Sequence, residues 1–192
     1  MALMRTFIAV AIPDDVRAKA GQVIRELSLV TDRIRWVEPR QAHITLKFLG
    51  DIKESDVHVV CSRMSAVAAR FESFIVDCAG VGAFPELARA KTLWLGIDDP
   101  QEGFLHLNQA VEHELQPLGF PREQRMYRPH LTLGRVRSSS PRLLADLAAR
   151  LLEFADFAAG RITVDQLTLF ASELTAQGPH YFALGRARFG EG

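Results

Sequence analysis

Net charge is what this chain lacks first: 23 Lys and Arg against 23 Asp and Glu leave its 192 residues formally neutral. Proteins that grip long stretches of nucleic-acid backbone carry a strongly basic face, so that class is disfavoured. A small anion held by a few local positive groups is still allowed. Cysteine is scarce as well. Cys61 and Cys78 have no metal-type spacing and read as reduced thiols, one in a helix and one in a strand. No apolar run approaches the ~18 residues of a membrane span, and no long apolar stretch with a cleavage signature opens the chain. A cytoplasmic protein without membrane contact is expected. His-x-His, His-Glu-x-x-His, Gly-x-Ser-x-Gly and the Gly-rich phosphate loops are all missing, so a bound metal, a serine nucleophile and a kinase-like nucleotide site have no foothold. The expectation is an activity with no cofactor and no metal.

Against those absences stand two stretches with one grammar, His43-Ile44-Thr45-Leu46 and His130-Leu131-Thr132-Leu133. Successive side chains of a strand point to opposite faces. His43 and Thr45 therefore share one face, with Ile44, Leu46 and Phe48 on the other; His130 and Thr132 repeat the pattern against Leu131 and Leu133. From six His and a hydrophobic content of 48%, one such match is expected about 0.06 times by chance. One copy reads as a structural histidine; two in equivalent surroundings read as a site.

The remaining pattern supplies a frame. Strands are expected at Thr6–Ile12, Ile34–Val37, Ser73–Val81, Thr92–Ile97, Ile162–Phe170 and Tyr181–Phe189, besides the two motif strands. Helices are expected after Asp14 as cap, from Ser55, over Phe104–Leu118, and from Ser140-Pro141, where Ser caps and Pro occupies the first turn. The order strand, helix, motif strand, helix, strand occurs twice, which predicts a single bilobal domain over 1–192 with repeat halves at roughly 5–83 and 92–189. Related by a pseudo-twofold, the halves would bring both motif strands to one groove. Trp36 and Trp94 are assigned to the core.

Two imidazoles facing one cleft suit general acid-base catalysis, since imidazole titrates near pH 6.5. In-line displacement at phosphorus needs one neutral ring to take a proton from water and one charged ring to give a proton to the leaving oxygen. Threonine hydroxyls can hold the non-bridging oxygens, where charge accumulates. A strained cyclic phosphate would need no metal. His58, His106 and His113 fall on expected helices away from the motifs. Further substrate contacts are sought in Arg128, which Pro129 holds extended, in Lys47 on the His43 side of its strand, and in Tyr181, His180 and Phe7 as stacking surfaces for a base. Arg122 and Arg125 share the loop of Arg128 and read as solvent-facing.

These motifs, with Arg5-Thr6-Phe7-Ile8-Ala9, Arg35-Trp36-Val37, Val81-Gly82-Ala83-Phe84-Pro85, Leu93-Trp94-Leu95-Gly96, Arg128-Pro129-His130-Leu131-Thr132-Leu133-Gly134-Arg135, Leu169-Phe170-Ala171-Ser172-Glu173-Leu174 and Gly178-Pro179-His180-Tyr181, resemble the 2H phosphoesterase superfamily over nearly the whole chain. Within it, they resemble the bacterial and archaeal RNA 2′,3′-cyclic phosphodiesterases once called 2′-5′ RNA ligases. The resemblance implies an α+β fold, with two pseudo-symmetric lobes of antiparallel sheet and helices around a central cleft. It implies metal-free hydrolysis of a terminal 2′,3′-cyclic phosphate to a 2′-phosphomonoester, in some members with 2′-5′ joining of RNA ends in reverse. It assigns His43 as proton donor, His130 as proton acceptor, and Thr45 and Thr132 as phosphoryl ligands. The expected partners are RNA ends or nucleotides bearing a 2′,3′-cyclic phosphate, bound by a monomer. Alternatives are a phosphodiesterase for another nucleotide, such as an ADP-ribose cyclic phosphate or a 2′-5′ oligonucleotide, and a non-catalytic RNA-end binding module.

Overall fold

The computed structural model describes residues 3–175 and 178–191. Among these residues nine strands form one antiparallel sheet: β1 (Leu3–Ala11), β2 (Ile34–Trp36), β3 (His43–Lys53), β4 (Phe74–Phe84), β5 (Thr92–Asp98), β6 (His130–Val136), β7 (Ala158–Val164), β8 (Gln166–Thr175) and β9 (Gly178–Arg188). Four helices accompany it: α1 (Asp14–Ser28), α2 (Val57–Ala68), α3 (Gly103–Leu115) and α4 (Pro141–Leu152). The strand order is β7-β4-β5-β6-β3-β1-β8-β9, with β2 added on β6. The chain is thus α+β. The two motif strands β3 and β6 are neighbours at the centre of that order.

The two halves of the sequence are interleaved in space. β4, from the first half, pairs with β5 and β7, while β8 and β9, from the second, return to β1. The return happens inside the run expected as one strand, Ile162–Phe170. It is two strands meeting at Asp165, and its buried positions shift phase there, from Ile162 and Val164 to Leu167 and Leu169. A continuous strand keeps one phase, so that slip marks the crossover.

One face of the sheet carries the core. Ile8, Ile44, Leu93, Leu95, Leu131, Leu133, Leu167 and Leu169 meet the buried stripes of the helices, such as Val16, Val23 and Leu27 of α1 and Leu107, Val111 and Leu115 of α3. α1 packs on β7, β2 and β6, α4 on β4, and α2 on β8 and β9, while α3 lies over β3 and against α2. Ser140 Oγ accepts from Leu143 N, the expected cap of α4. Asp14 differs from expectation, being the first helical residue after an extended Pro13. The helix expected from Ser55 begins as a 3-10 turn at Glu54–Asp56, and the one over Phe104–Leu118 ends as another at Gln116–Leu118. Both tryptophans are half-buried. Trp94 stands opposite Thr132, on the face away from the helices.

Two β-bulges decide what that other face presents. In β3, Thr45 lies opposite Ala9 and Lys47 opposite Ile8, so Leu46 is an extra residue. In β6, Thr132 lies opposite Trp94 and Gly134 opposite Leu93, so Leu133 is extra. A bulge reverses the alternation beyond it. Lys47 consequently points into the interior at 5% exposure, and Phe48, expected on the apolar face, emerges at 64%. In β6 the same slip turns Arg135 rather than Gly134 onto the face of His130 and Thr132.

Candidate active site

β3 and β6 pair through a single residue couple, Ile44 with Leu131. One step along this antiparallel register, His43 faces Thr132 across the strands, and Thr45 faces His130. All four side chains lie on the face opposite Ile44 and Leu131. The two histidines occupy a diagonal of this rectangle, which spans about 7–8 Å in a pleated pair. Beyond the couple the strands diverge at both ends. A cleft of about 1160 Å³ opens beside Thr45 and His130, bordered by Phe48, Phe84, Arg125 and Arg128. A smaller one of about 440 Å³ opens at the other end, between Arg35, Gln41, Arg135 and Tyr181.

Each imidazole is fixed in the same way. His43 Nδ1 lies 2.8 Å from the carbonyl of Gln41, and His130 Nδ1 lies 2.7 Å from that of Arg128. A carbonyl can only accept, so each Nδ1 carries a hydrogen and each Nε2 is left to exchange protons. The backbone arriving at each motif sets the tautomer. Aromatic rings set the tilt: Tyr181 meets His43 edge-on at 5.2 Å between centroids, and Phe84 meets His130 edge-on at 5.0 Å. Burial pushes both imidazoles below their ordinary value, opposed in each by the carbonyl bond. The charge of His130 depresses His43 further, and that of Arg135 depresses His130. The first of these effects agrees with the placement of the two rings on one diagonal.

Other expected contacts fall differently. Phe7 does not offer a stacking surface for a base. It is 3% exposed, stacked on His43 at 4.6 Å and covered by Phe48, Phe170 and Tyr181. It is the wall behind the histidine. Lys47 is not free to hold substrate either. The bulge sends its ammonium inward to Glu112 Oε2 at 2.5 Å and the Pro121 carbonyl at 2.8 Å. Glu112 also accepts from Glu123 N, and Tyr127 Oη donates to the Thr45 carbonyl at 3.1 Å. Together these bonds pin the loop before His130 to the strand of His43.

Arg128 is exposed and borders the larger cleft, and Tyr181 is half-buried beside His43. His180 borders the smaller cleft, and Arg122 engages His113 on α3. Phe48, Phe84 and Arg135 were not assigned to the site from sequence. The signal for Phe48 and Arg135 is positional, since each lies five residues past its motif histidine and one bulge away from the expected face. Among the described residues no three His, Cys, Asp or Glu side chains group as metal ligands, and no helix is long and apolar enough to cross a membrane.

Known proteins are similar to this chain over most of its length. The model of the 2′-5′ RNA ligase superfamily matches residues 13–175. An RNA 2′,3′-cyclic phosphodiesterase of Archaeoglobus fulgidus is 35% identical over 178 residues, covering 93% of this chain and 96% of that protein. One of Methanothermobacter thermautotrophicus is 33% identical over 178 residues, covering 93% and 95%. The crystal structure of TT0787 of Thermus thermophilus superposes with a TM-score of 0.80 at 25% identity, covering 97% of this chain and 98% of that one. With two His-x-Thr strands joined at the centre of one antiparallel sheet, the chain belongs to the 2′-5′ RNA ligase superfamily of two-histidine phosphoesterases.

Proposed function

We propose that the protein hydrolyses RNA-terminal 2′,3′-cyclic phosphate to a 2′-phosphomonoester without a metal, by splitting acid and base roles between His43 and His130. It is a cyclic phosphodiesterase, the activity for which its relatives are named. The observation that carries the mechanism is the diagonal: two histidines, each with Nδ1 bonded to a backbone carbonyl so that Nε2 is free, stand at opposite corners of one rectangle of strand positions.

A phosphorus atom centred on that rectangle has His130 towards the larger cleft and His43 towards the smaller. Neutral His130 takes a proton from a water entering on its side. Protonated His43 gives a proton to the departing 3′ oxygen on the other. The hydroxyls of Thr45 and Thr132, at the remaining corners, donate to the two non-bridging oxygens, whose charge grows in the transition state. Low ring pKa values favour the base. The acid form of His43 is restored when the phosphate anion binds beside it, since a nearby negative charge stabilises imidazolium.

The test is a time course on a short RNA ending in 2′,3′-cyclic phosphate, with and without chelator, identifying which oxygen keeps the phosphate. A 2′-phosphate formed equally in both conditions is expected. A 3′-phosphate would reverse the assigned leaving group. Tight binding with no turnover would leave only an RNA-end binding module.

A further inference from the structure

The smaller cleft holds two guanidinium groups that the hydrolysis just described does not use. Arg35 of β2 and Arg135 of β6 are direct partners in the ladder. Like charges placed directly opposite destabilise a sheet, and among the described residues no carboxylate relieves them. Eleven ion pairs occur among those residues, and neither Arg35 nor Arg135 belongs to one. Arg40, at the same cleft, is by contrast paired with Glu38. Both side chains are exposed, and the backbone sets the face each occupies. The bulge at Leu133 turns Arg135 onto the face of Thr132, and Arg35 Nη2 lies 3.3 Å from where a Cβ on Gly178 would stand. Arg5 adds a third positive field, for all three arginines bear on the phenol of Tyr181. Tyr181 in turn touches His43. In a formally neutral chain, this is a concentrated cationic pocket one side chain away from the acid of the reaction.

We propose that Arg35 and Arg135 form a second anion subsite, which takes the phosphate on the 5′ side of the terminal nucleotide while its cyclic phosphate lies between the histidines. The inference rests on the assignment above, in which the ribose leaves towards His43 and so lies at this end of the rectangle. Two guanidinium forks are suited to the two non-bridging oxygens of such a phosphate, and bidentate arginine contacts recognise it by shape as well as charge. The anion also supplies the countercharge the ladder lacks. The substrate class becomes an oligonucleotide end, or a 5′-phosphorylated nucleotide, rather than a bare nucleoside cyclic phosphate.

The test compares kcat/KM for four substrates: adenosine 2′,3′-cyclic phosphate, its 5′-phosphorylated form, the dinucleotide ApA 2′,3′-cyclic phosphate, and that dinucleotide with an uncharged methylphosphonate link. The 5′-phosphorylated nucleotide and the natural dinucleotide should exceed the nucleoside by about tenfold or more, the worth of a charge-assisted hydrogen bond, and the methylphosphonate should fall back to it. In Arg35→Gln and Arg135→Gln, each measured at its own pH optimum, the ratio should drop to near one, while Arg40→Gln keeps it. A gain for both dinucleotides but not for the 5′-phosphorylated nucleotide would overturn the subsite, because the neighbouring base would then be what is read. One common kcat/KM for all four would overturn it too and leave the phosphodiesterase standing. Turnover of none would remove that reading and the subsite with it.

Discussion

Lys47 and Glu112 form an ion pair with side chains only 4% and 8% exposed, and its removal has a size that can be worked out in advance. In Lys47→Met the Glu112 carboxylate stays buried with one remaining donor, the Glu123 amide at 3.3 Å, and the Pro121 carbonyl loses its partner. In Glu112→Met the ammonium keeps only that carbonyl. Breaking one side of a buried pair costs about 3–5 kcal/mol, because the other charge stays desolvated. For a chain of this length that is about 6–20 °C in Tm, at roughly 2–4 °C per kcal/mol. Replacing both by Met removes both desolvation costs, so the double variant should return to within about 1 kcal/mol of the parent or exceed it. The assay is urea unfolding of the four proteins with a double-mutant cycle. The cycle should show a coupling of about 5 kcal/mol or more, the two single costs less that of the double variant. Single variants that each cost under about 1 kcal/mol, with additive effects, would refute the reasoning and place Lys47 in solvent. Activity is a separate readout. The pair pins the loop whose Arg128 carbonyl fixes His130, so Lys47→Met should lower kcat more than it raises KM, even below its unfolding transition.

Four further outcomes follow from the site. Both imidazoles sit below their ordinary value near 6.5, so kcat/KM, which reports the free enzyme, should be bell-shaped with its maximum on the acid side of ~6.5. The kcat profile should lie to the alkaline side of it, because bound phosphate raises both values; a kcat optimum at the lower pH would contradict this. The same shifts make the unfolded chain bind more protons below ~6.5, so stability should fall as pH drops through that range. Denaturation series at several pH values should show a shallower fall in His43→Gln. Thr132→Val removes one hydroxyl from the phosphoryl oxygens and should lower kcat by roughly ten- to a hundredfold, the worth of one hydrogen bond to a charged group, with the thermal transition little changed. Tyr127→Phe loses the bond to the Thr45 carbonyl and should cost about 1 kcal/mol by urea unfolding.

Periodicity in the sequence placed the two histidines and two threonines on shared faces, and the four helices close to where they lie. Those features are local, set by alternation, caps and amphipathic stripes. What escaped was fixed by contacts distant in sequence. The extra residues at Leu46 and Leu133 show only as register against β1 and β5, yet they decide that Lys47 is interior, that Phe48 faces the larger cleft and that Arg135 faces the smaller. Phe7 looked like a free aromatic on a strand because the rings that cover it come from β3, β8 and β9. The interleaving of the halves turned on one phase slip at Asp165. The pairing of Arg35 with Arg135 joins residues 100 apart in the chain.

The division of labour between the two rings is open to a single comparison. An RNA whose cyclic phosphate carries sulfur in place of the bridging 3′ oxygen has a leaving group that departs without a proton. With the natural ester, His43→Ala and His130→Ala should each lower single-turnover hydrolysis by about 10²–10⁴-fold. With the sulfur ester, His43→Ala should recover to near the parent rate while His130→Ala stays impaired. Recovery of His130→Ala instead, or of neither, would contradict the assignment of His43 as the acid on the leaving side of the phosphorus.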